Sequence, residues 1–373
     1  MNLEPGLRIT ETLILRSQVG EGGMGQVWSA HHAPLDRIVA VKVLSATLAT
    51  DEVAIQRFTL EAQTLARMNS PHIPRVFDLG TIEDGRPYMV MELVEGQNLQ
   101  ARLGKRGALS PAQTVKLVAH VGDALATAHA LGVVHRDVKP ENIVLVAGPQ
   151  GGDDFTAQLV DFGIAKPCCR ANAGGLTRSG TTLGTPSYMS PEQLMTATAV
   201  GPSADLWSLA VVAYACLTGA LPFAGETFGA VCLSIHNGVF TTPSALRPDL
   251  PVPIDRWFQS ALNRDPAKRF ESAAAMAEAL REAVEAVPAP ESERATSPGG
   301  RPDTLSDVYL LTKRKRREPA AQGRAALPLV AVALAVAALL TWGSTSTHVS
   351  AWAGTSASKT ATAHELVADH SRP

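Results

Sequence analysis

The sequence predicts an α+β fold in two lobes, strand-rich and then helix-rich, with a linker and one apolar span appended. Three observations predict it. Two strand-like runs, Val39-Ala40-Val41-Lys42-Val43-Leu44 and Tyr88-Met89-Val90-Met91-Glu92-Leu93-Val94, lie in the N-terminal part. Helical patterns dominate from Ser110 to Ala286. At Val287 the composition shifts to Pro, Ser, Gly and charge, and then to an uncharged apolar stretch.

Between the two strand-like runs, Arg57 to Met68 places apolar residues at Phe58, Leu60, Ala62 and Leu65, a helical spacing. Ser110-Pro111 reads as an N-cap followed by a first-turn proline, opening a helix to about Leu131. Ala204 to Leu217 is a strongly apolar helix, and Ser272 to Val287 an Ala/Glu-rich closing one. The folded body thus covers 13–286, with lobes at 13–93 and 97–286.

Residues 287–323 read as a disordered linker, semi-extended where proline clusters, containing Lys313-Arg314-Lys315-Arg316-Arg317. The segment 324–342 follows, with an uncharged core from Ala325 to Trp342. As a helix that core spans about 27 Å, against a hydrocarbon thickness of about 30 Å. Its Leu and Val residues contribute roughly −2 to −5 kcal/mol toward insertion, and Pro328 sits near the start, where it does least damage. The other reading is a buried C-terminal helix, but the linker leaves it no domain to pack into. The basic cluster would stay on the cytoplasmic side and meet anionic lipid; alone it could equally be a nuclear-localisation or nucleic-acid patch. These features predict a single-pass cell-membrane protein with a cytoplasmic body and a short disordered extracytoplasmic tail at 343–373. The tail is too small for a sensor domain. The N-terminus, without an apolar run, predicts no secretory signal.

A formal net charge of −2 argues against nucleic acid as a partner. The four cysteines, Cys168, Cys169, Cys216 and Cys232, lack metal-ligand spacing and are too few for a disulfide framework, so a reducing compartment is expected. No internal repeat is present.

The chemistry concentrates in His135-Arg136-Asp137-Val138-Lys139-Pro140-Glu141-Asn142. A carboxylate, a cation and an amide share one short loop. Such a set can accept a proton, neutralise a transferring phosphoryl group and hold a metal. Upstream, Val19 precedes Gly20-Glu21-Gly22-Gly23-Met24-Gly25-Gln26-Val27, a G-x-G-x-x-G-x-V run. Alone it fits a dinucleotide fingerprint or a plain glycine turn. The continuation into a strand at Gln26 to Ala30 favours a β-turn-β flap, whose glycines let backbone approach phosphate oxygens. Lys42 follows the flap at the spacing of a strand lysine that reaches phosphates. Glu61 is its expected ion-pair partner, with Glu52 the alternative. Asp161-Phe162-Gly163 closes the strand Gln158-Leu159-Val160. Its aspartate could chelate Mg²⁺, and Asn142 the same or a second ion.

In order, Gly20 to Val27, Lys42, Glu61, His135 to Asn142, Asp161 to Gly163 and Ser190-Pro191-Glu192 follow the protein-kinase signature. The chain resembles a bacterial eukaryotic-like (Hanks-type) Ser/Thr protein kinase of the membrane-anchored kind, over about three-quarters of its length. The resemblance implies a bilobal kinase fold with a β-rich N-lobe and a helical C-lobe. It implies Asp137 as catalytic base, and Lys139 on the γ-phosphate in the Asp-x-Lys form of Ser/Thr kinases. Thr185, in Gly184-Thr185-Pro186, would meet the catalytic loop. Met91 takes the gatekeeper position. Backbone groups of Glu92 and Val94 would bind adenine, sandwiched by Val27, Ala40 and Val144. Leu65, Val76, His135 and Phe162 would form a stacked spine, Asp205 would anchor the catalytic-loop backbone, and Glu192 would pair with Arg269.

Arg136 beside Asp137 implies activation by loop phosphorylation, with Thr177 and Ser179 favoured over Thr181 and Thr182. Cys168-Cys169 in the same loop reads as incidental thiols rather than a redox switch. Ser190 stands where many relatives carry Ala, Asn98 stands near an acidic ribose contact, and Pro74 is unusual after the helix that bears Glu61. The implied activity is transfer of the ATP γ-phosphoryl group to protein Ser/Thr hydroxyls, using Mg²⁺ with Mn²⁺ as a substitute. Turnover would be of order 1–100 s⁻¹ once activated. A homodimer would serve trans-autophosphorylation. The alternative is a nucleotide-binding pseudokinase scaffold, against which Lys42, Asp137, Asn142 and Asp161 all speak. A small-molecule kinase is disfavoured by Lys139, Thr185 and the long activation segment.

Overall fold

The computed structural model describes residues 2–148, 151–162, 186–195 and 200–286. All lie in the first of the two units into which the chain divides, Met1–Arg314 and Lys315–Pro373. The first lobe is an antiparallel sheet of β1 (Leu13–Gly22), β2 (Gly25–His32), β3 (Arg37–Leu44), β4 (Val76–Thr81) and β5 (Pro87–Met91), in the order β1-β2-β3-β5-β4. Helix α1 (Glu52–Leu65) packs against it. A second, three-stranded sheet follows at the lobe junction, from β6 (Gln97–Asn98), β7 (Ile143–Ala147) and β8 (Phe155–Leu159). The second lobe holds α2 (Leu99–Arg106), α3 (Pro111–Ala130), α4 (Pro191–Met195), α5 (Pro202–Thr218), α6 (Phe228–Asn237), α7 (Pro243–Leu246), α8 (Val252–Ala261) and α9 (Ala273–Glu285).

Strand alternation divides the first lobe into two faces. Val39, Val41 and Val43 of β3 join Tyr88 and Val90 of β5 in an outer core with Leu13, Leu15 and Trp28. The intervening Leu44 and Met89 join a larger core that passes through α1 into the second lobe. In α1 the buried residues are Phe58, Glu61, Ala62 and Leu65, one helical stripe. Burying such a side chain stabilises by about 1.5–3 kcal/mol, so the stripe fixes how α1 rotates about its axis.

Helix α1 begins at Glu52, five residues before the apolar pattern. The Asp51 side chain accepts from the Val53 amide and caps the helix. Its first turn holds Val53, which is exposed, and Ala54 and Ile55, which are half-buried, with Ile55 packed against the large core. Strand β5 ends at Met91 rather than Val94, although the Glu92 amide still donates across to the Arg75 carbonyl at 2.8 Å. Helix α3 starts at Pro111 with the expected cap: Ser110 Oγ accepts from Gln113 N, and the Gln113 side chain accepts from Ser110 N. Helix α5 starts at Pro202, two residues early, with proline in its first turn. From Ala204 to Leu217 α5 is buried all round, the mark of a helix at the centre of a lobe. The Glu192–Arg269 pair is bidentate at 2.7 and 2.8 Å, and the guanidinium also lies 4.9 Å over the Trp207 ring. Among the described residues no helix is long and apolar enough to cross a membrane, and the segment 324–342 lies outside them.

Candidate active site

Lys42 faces away from the outer core because β3 alternates. Its neighbours in sequence, Val41 and Val43, belong to that core, and the lysine points to α1. There Nζ donates to Glu61 Oε1 at 2.8 Å and lies 3.6 Å from Asp161 Oδ1. Lys42 is 8% and Glu61 1% exposed, so neither charge is balanced by water. Burial alone would lower the Lys42 pKa. The charges and hydrogen bonds of Glu61 and Asp161 outweigh it and hold the ammonium above its ordinary value. Glu52, the alternative partner, sits exposed in the first turn of α1.

The loop between α3 and β7 carries Asp137. Arg136, just before it, has a φ of 64°, a left-handed conformation costly for a residue with a Cβ. Asp205, fully buried in the first turn of α5, imposes it. Its Oδ2 accepts from the His135 amide at 2.8 Å and its Oδ1 from the Arg136 amide at 2.7 Å. His129 Nε2 lies 2.8 Å from the same carboxylate. Gln193 Nε2 donates to the Arg136 carbonyl at 3.0 Å. Both amides and the carbonyl of the loop are thus held from outside it.

Asp137 projects from this frame. Asn142 Nδ2 donates to its carbonyl at 2.9 Å and to its Oδ2 at 2.8 Å, and Lys139 Nζ lies 3.0 Å from the same Oδ2. These contacts fix the carboxylate's orientation. The Asn142 side-chain oxygen, Oδ1, remains as its group able to meet a cation. Asp161 has a φ of 56° and a half-exposed side chain. The Val160 amide donates to the Asn142 carbonyl at 2.9 Å, which ties the two candidate metal ligands to one frame. Oxygen donors of this kind suit a hard divalent cation such as Mg²⁺.

Phe162 is 2% exposed, and its ring lies 4.6 Å from that of His135. Burial lowers the His135 pKa against the opposing charges of Asp205 and Asp137. The neutral ring donates from Nε2 to the Val160 carbonyl at 3.3 Å and accepts the Asp137 amide at Nδ1, also at 3.3 Å. Leu65 and Phe162 share the large core, with Val76 packed on it.

The glycine run is the β1–β2 hairpin, and it carries Val19 to Val27. A Cβ on Gly25, whose φ is 153°, would lie 2.0 Å from the Val43 carbonyl oxygen, so only glycine fits. Among the described residues nothing lies within 4 Å of such an atom on Gly20, Gly22 or Gly23, which leaves space above the hairpin for a ligand. Val27 pairs with Lys42 across β2–β3, and Ala40 with Met91 across β3–β5. Val144 lies on β7 opposite Asn98. With the Glu92 amide engaged by Arg75, the hinge retains the Glu92 carbonyl and the Val94 backbone for a base.

Thr185, Gly163, Thr177, Ser179, Thr181, Thr182, Cys168 and Cys169 lie outside the described residues. Asn98, which the sequence places near a ribose contact, caps α2: its Oδ1 accepts from the Ala101 amide at 2.8 Å. His129 and Gln193, which hold the catalytic loop, carried no motif. Gln193 does follow Glu192 directly, and that adjacency was the only signal.

An activated strand lysine, an oriented carboxylate and two oxygen ligands, under a glycine flap, define a nucleotide-dependent phosphotransferase of the kinase class. Residues 13–280 match the family model described as protein kinase domain, and the chain belongs to that family. It is 41% identical over 256 residues to serine/threonine-protein kinase PknE of Mycobacterium tuberculosis, covering 69% of this chain and 43% of that protein. It is 38% identical to PknA of the same organism over 305 residues, 81% of this chain and 68% of PknA. The crystal structure of the M. tuberculosis PknI kinase domain is similar with a TM-score of 0.57 and 29% identity, covering 76% of this chain and 99% of that domain. The chain thus spans less than half the length of PknE.

Replacing Glu61 by Gln preserves shape but removes the charge that holds Lys42. Phosphoryl transfer by Glu61→Gln is expected to fall by roughly a hundredfold in kcat/KM, measured at saturating acceptor, and the thermal midpoint to fall as well, since the buried Lys42 ammonium loses its nearest counter-charge.

Proposed function

We propose that the chain is an ATP- and Mg²⁺-dependent Ser/Thr protein kinase acting on protein substrates. The observation that carries this reading is the linked set Glu61–Lys42–Asp161 and Asn142–Asp137–Lys139, each bond between 2.8 and 3.6 Å. A scaffold that only bound nucleotide would have no use for an oriented carboxylate at Asp137. The relatives PknE and PknA, named serine/threonine-protein kinases, support the same acceptor class.

In this reading Lys42, held by Glu61, grips the α- and β-phosphates. Asp137 orients the acceptor hydroxyl and takes its proton as the oxygen bonds to the γ-phosphorus. The bond from the γ-phosphorus to the β,γ-bridging oxygen breaks, and ADP leaves. Lys139 neutralises charge on the transferring group, and Thr185 would take the role that the kinase resemblance implies for it, beside the catalytic loop. Asn142 and Asp161 would hold Mg²⁺, or Mn²⁺ in its place, and the ion would neutralise charge on the β- and γ-oxygens. Val27, Ala40 and Val144 would enclose the base, with Met91 behind it and the Glu92 carbonyl and Val94 backbone as its hydrogen-bonding edge. A phosphate on Thr177 or Ser179 would pair with Arg136 and order the activation segment, and a homodimer would allow its addition in trans.

The apolar segment 324–342 would anchor the protein in the cell membrane, with the basic cluster before it keeping the kinase domain cytoplasmic.

Full-length protein with ATP and Mg²⁺ is expected to phosphorylate itself on Ser or Thr, read by phosphosite mapping. Asp137→Asn should lower that rate by about 10²–10⁴-fold while retaining nucleotide binding. Nucleotide binding by wild type with no transfer would establish the scaffold instead.

The anchor has its own test. Full-length protein should stay in the membrane pellet after alkaline extraction, and deletion of Ala325–Trp342 should release it. Release of both forms removes the span from the account.

A further inference from the structure

Strand β8 leads directly to Asp161 and is the outer strand of the sheet β6-β7-β8. Pairing with β7 uses one edge of β8. The backbone groups of Ala157 and Leu159 face the other, and an edge of this kind must find partners elsewhere. Two histidines from different lobes supply them. His120, on α3, accepts the Ala157 amide at Nδ1 at 3.1 Å. His72, in the loop between α1 and β4, donates from Nδ1 to the Ala157 carbonyl at 2.8 Å, and its own carbonyl accepts the Leu159 amide at 2.8 Å. The two rings stack with centroids 4.2 Å apart and planes 20° from parallel.

The loop that carries His72 is fastened at both ends of this contact. Ser70 Oγ donates to Asp123 Oδ2 on α3 at 2.6 Å and accepts the His72 amide at 3.1 Å. Gln158 Nε2 donates to the Pro71 carbonyl at 3.2 Å. Because His120 accepts at Nδ1, its ring must be neutral. Burial pushes its pKa down to about 4, with His72 and Lys116 acting the same way and Asp123 and Asp154 opposing. The acceptor is therefore available throughout the neutral range.

We propose that His72 and His120 are positioning residues for Asp161, clamping Ala157 from both lobes so that the aspartate meets its cation in register with Lys42. The inference rests on the reading of Asp161 as a metal ligand. Neither histidine touches nucleotide, cation or acceptor. Their effect passes along β8, where a small slip of the strand changes the 3.6 Å separation of Asp161 from Lys42.

The test is the affinity of full-length protein for a non-hydrolysable ATP analogue with and without Mg²⁺, measured by calorimetry. Leucine at either position removes the ring's bond to Ala157. Asparagine at 120 places its side-chain oxygen near the position of Nδ1 and can still accept. His120→Leu should lose roughly tenfold of the Mg²⁺-dependent tightening, with metal-free affinity changed less than about twofold. His120→Asn should retain the tightening. His72→Leu, in a partly exposed loop outside the helix packing, should repeat the loss and covers the case in which His120→Leu fails to fold. Equal tightening in wild type and the leucine variants overturns the positioning role alone, as does an Asn variant as impaired as Leu. A wild type that does not tighten with Mg²⁺ overturns the metal role of Asp161, and the positioning role with it.

Discussion

The buried carboxylate of Asp205 is the constraint on which the rest of the site depends. It is fully removed from water, and its oxygens accept the amides of His135 and Arg136 while meeting His129 Nε2. A carboxylate in that position is costly unless every acceptor site is used, and here the users are the backbone of the catalytic loop. The bonds it makes offset the left-handed conformation of Arg136 and so set the direction in which Asp137 leaves the chain. From Asp137 the order propagates through bonds to Asn142, from the Asn142 carbonyl to the Val160 amide, and so to Asp161 and Lys42. Lys42 closes the path on Glu61 of the first lobe. One residue at the start of a core helix thus holds the geometry of groups on both sides of the cleft.

The platform and the flap have opposite physical characters. Helix α5 is packed on every side, and Arg269 ties it to Glu192 and to the Trp207 ring. Close packing of this kind resists displacement, which suits the element that carries Asp205. Among the described residues nothing packs within 4 Å of a Cβ at Gly20, Gly22 or Gly23, whereas Gly25 is pressed against β3. A site that must admit a nucleotide and then position it needs both.

Much of this was legible in the sequence, for reasons tied to particular residues. Lys42 is readable because β-strand alternation, applied to Val39 to Leu44, leaves it opposite the valines. Glu61 is readable because it falls within the stripe of Phe58, Ala62 and Leu65. The Ser110 cap announces α3 by chemistry confined to four residues. The first turn of α1 was missed because it buries little: Val53 is exposed and Ile55 only half-buried against the core, outside the stripe of Phe58, Ala62 and Leu65. Asn98 has a local role that the motif did not announce: its side-chain oxygen caps α2, as Asn commonly does at a helix start. His129, Gln193, His72 and His120 act through partners 37 to 85 residues away, and no local spacing encodes such pairings.

Asp205 orients Asp137 rather than merely stabilising the second lobe. Replacing Asp205 by Asn leaves one oxygen for two loop amides and turns an N–H toward the other. Single-turnover phosphoryl transfer, measured alongside nucleotide affinity and amide exchange at His135 and Arg136, separates the two roles. If Asp205 orients Asp137, Asp205→Asn binds nucleotide within about threefold of wild type, exchanges those two amides faster, and transfers phosphoryl groups about a hundredfold more slowly or worse. Transfer at the wild-type rate with those amides unprotected would contradict it.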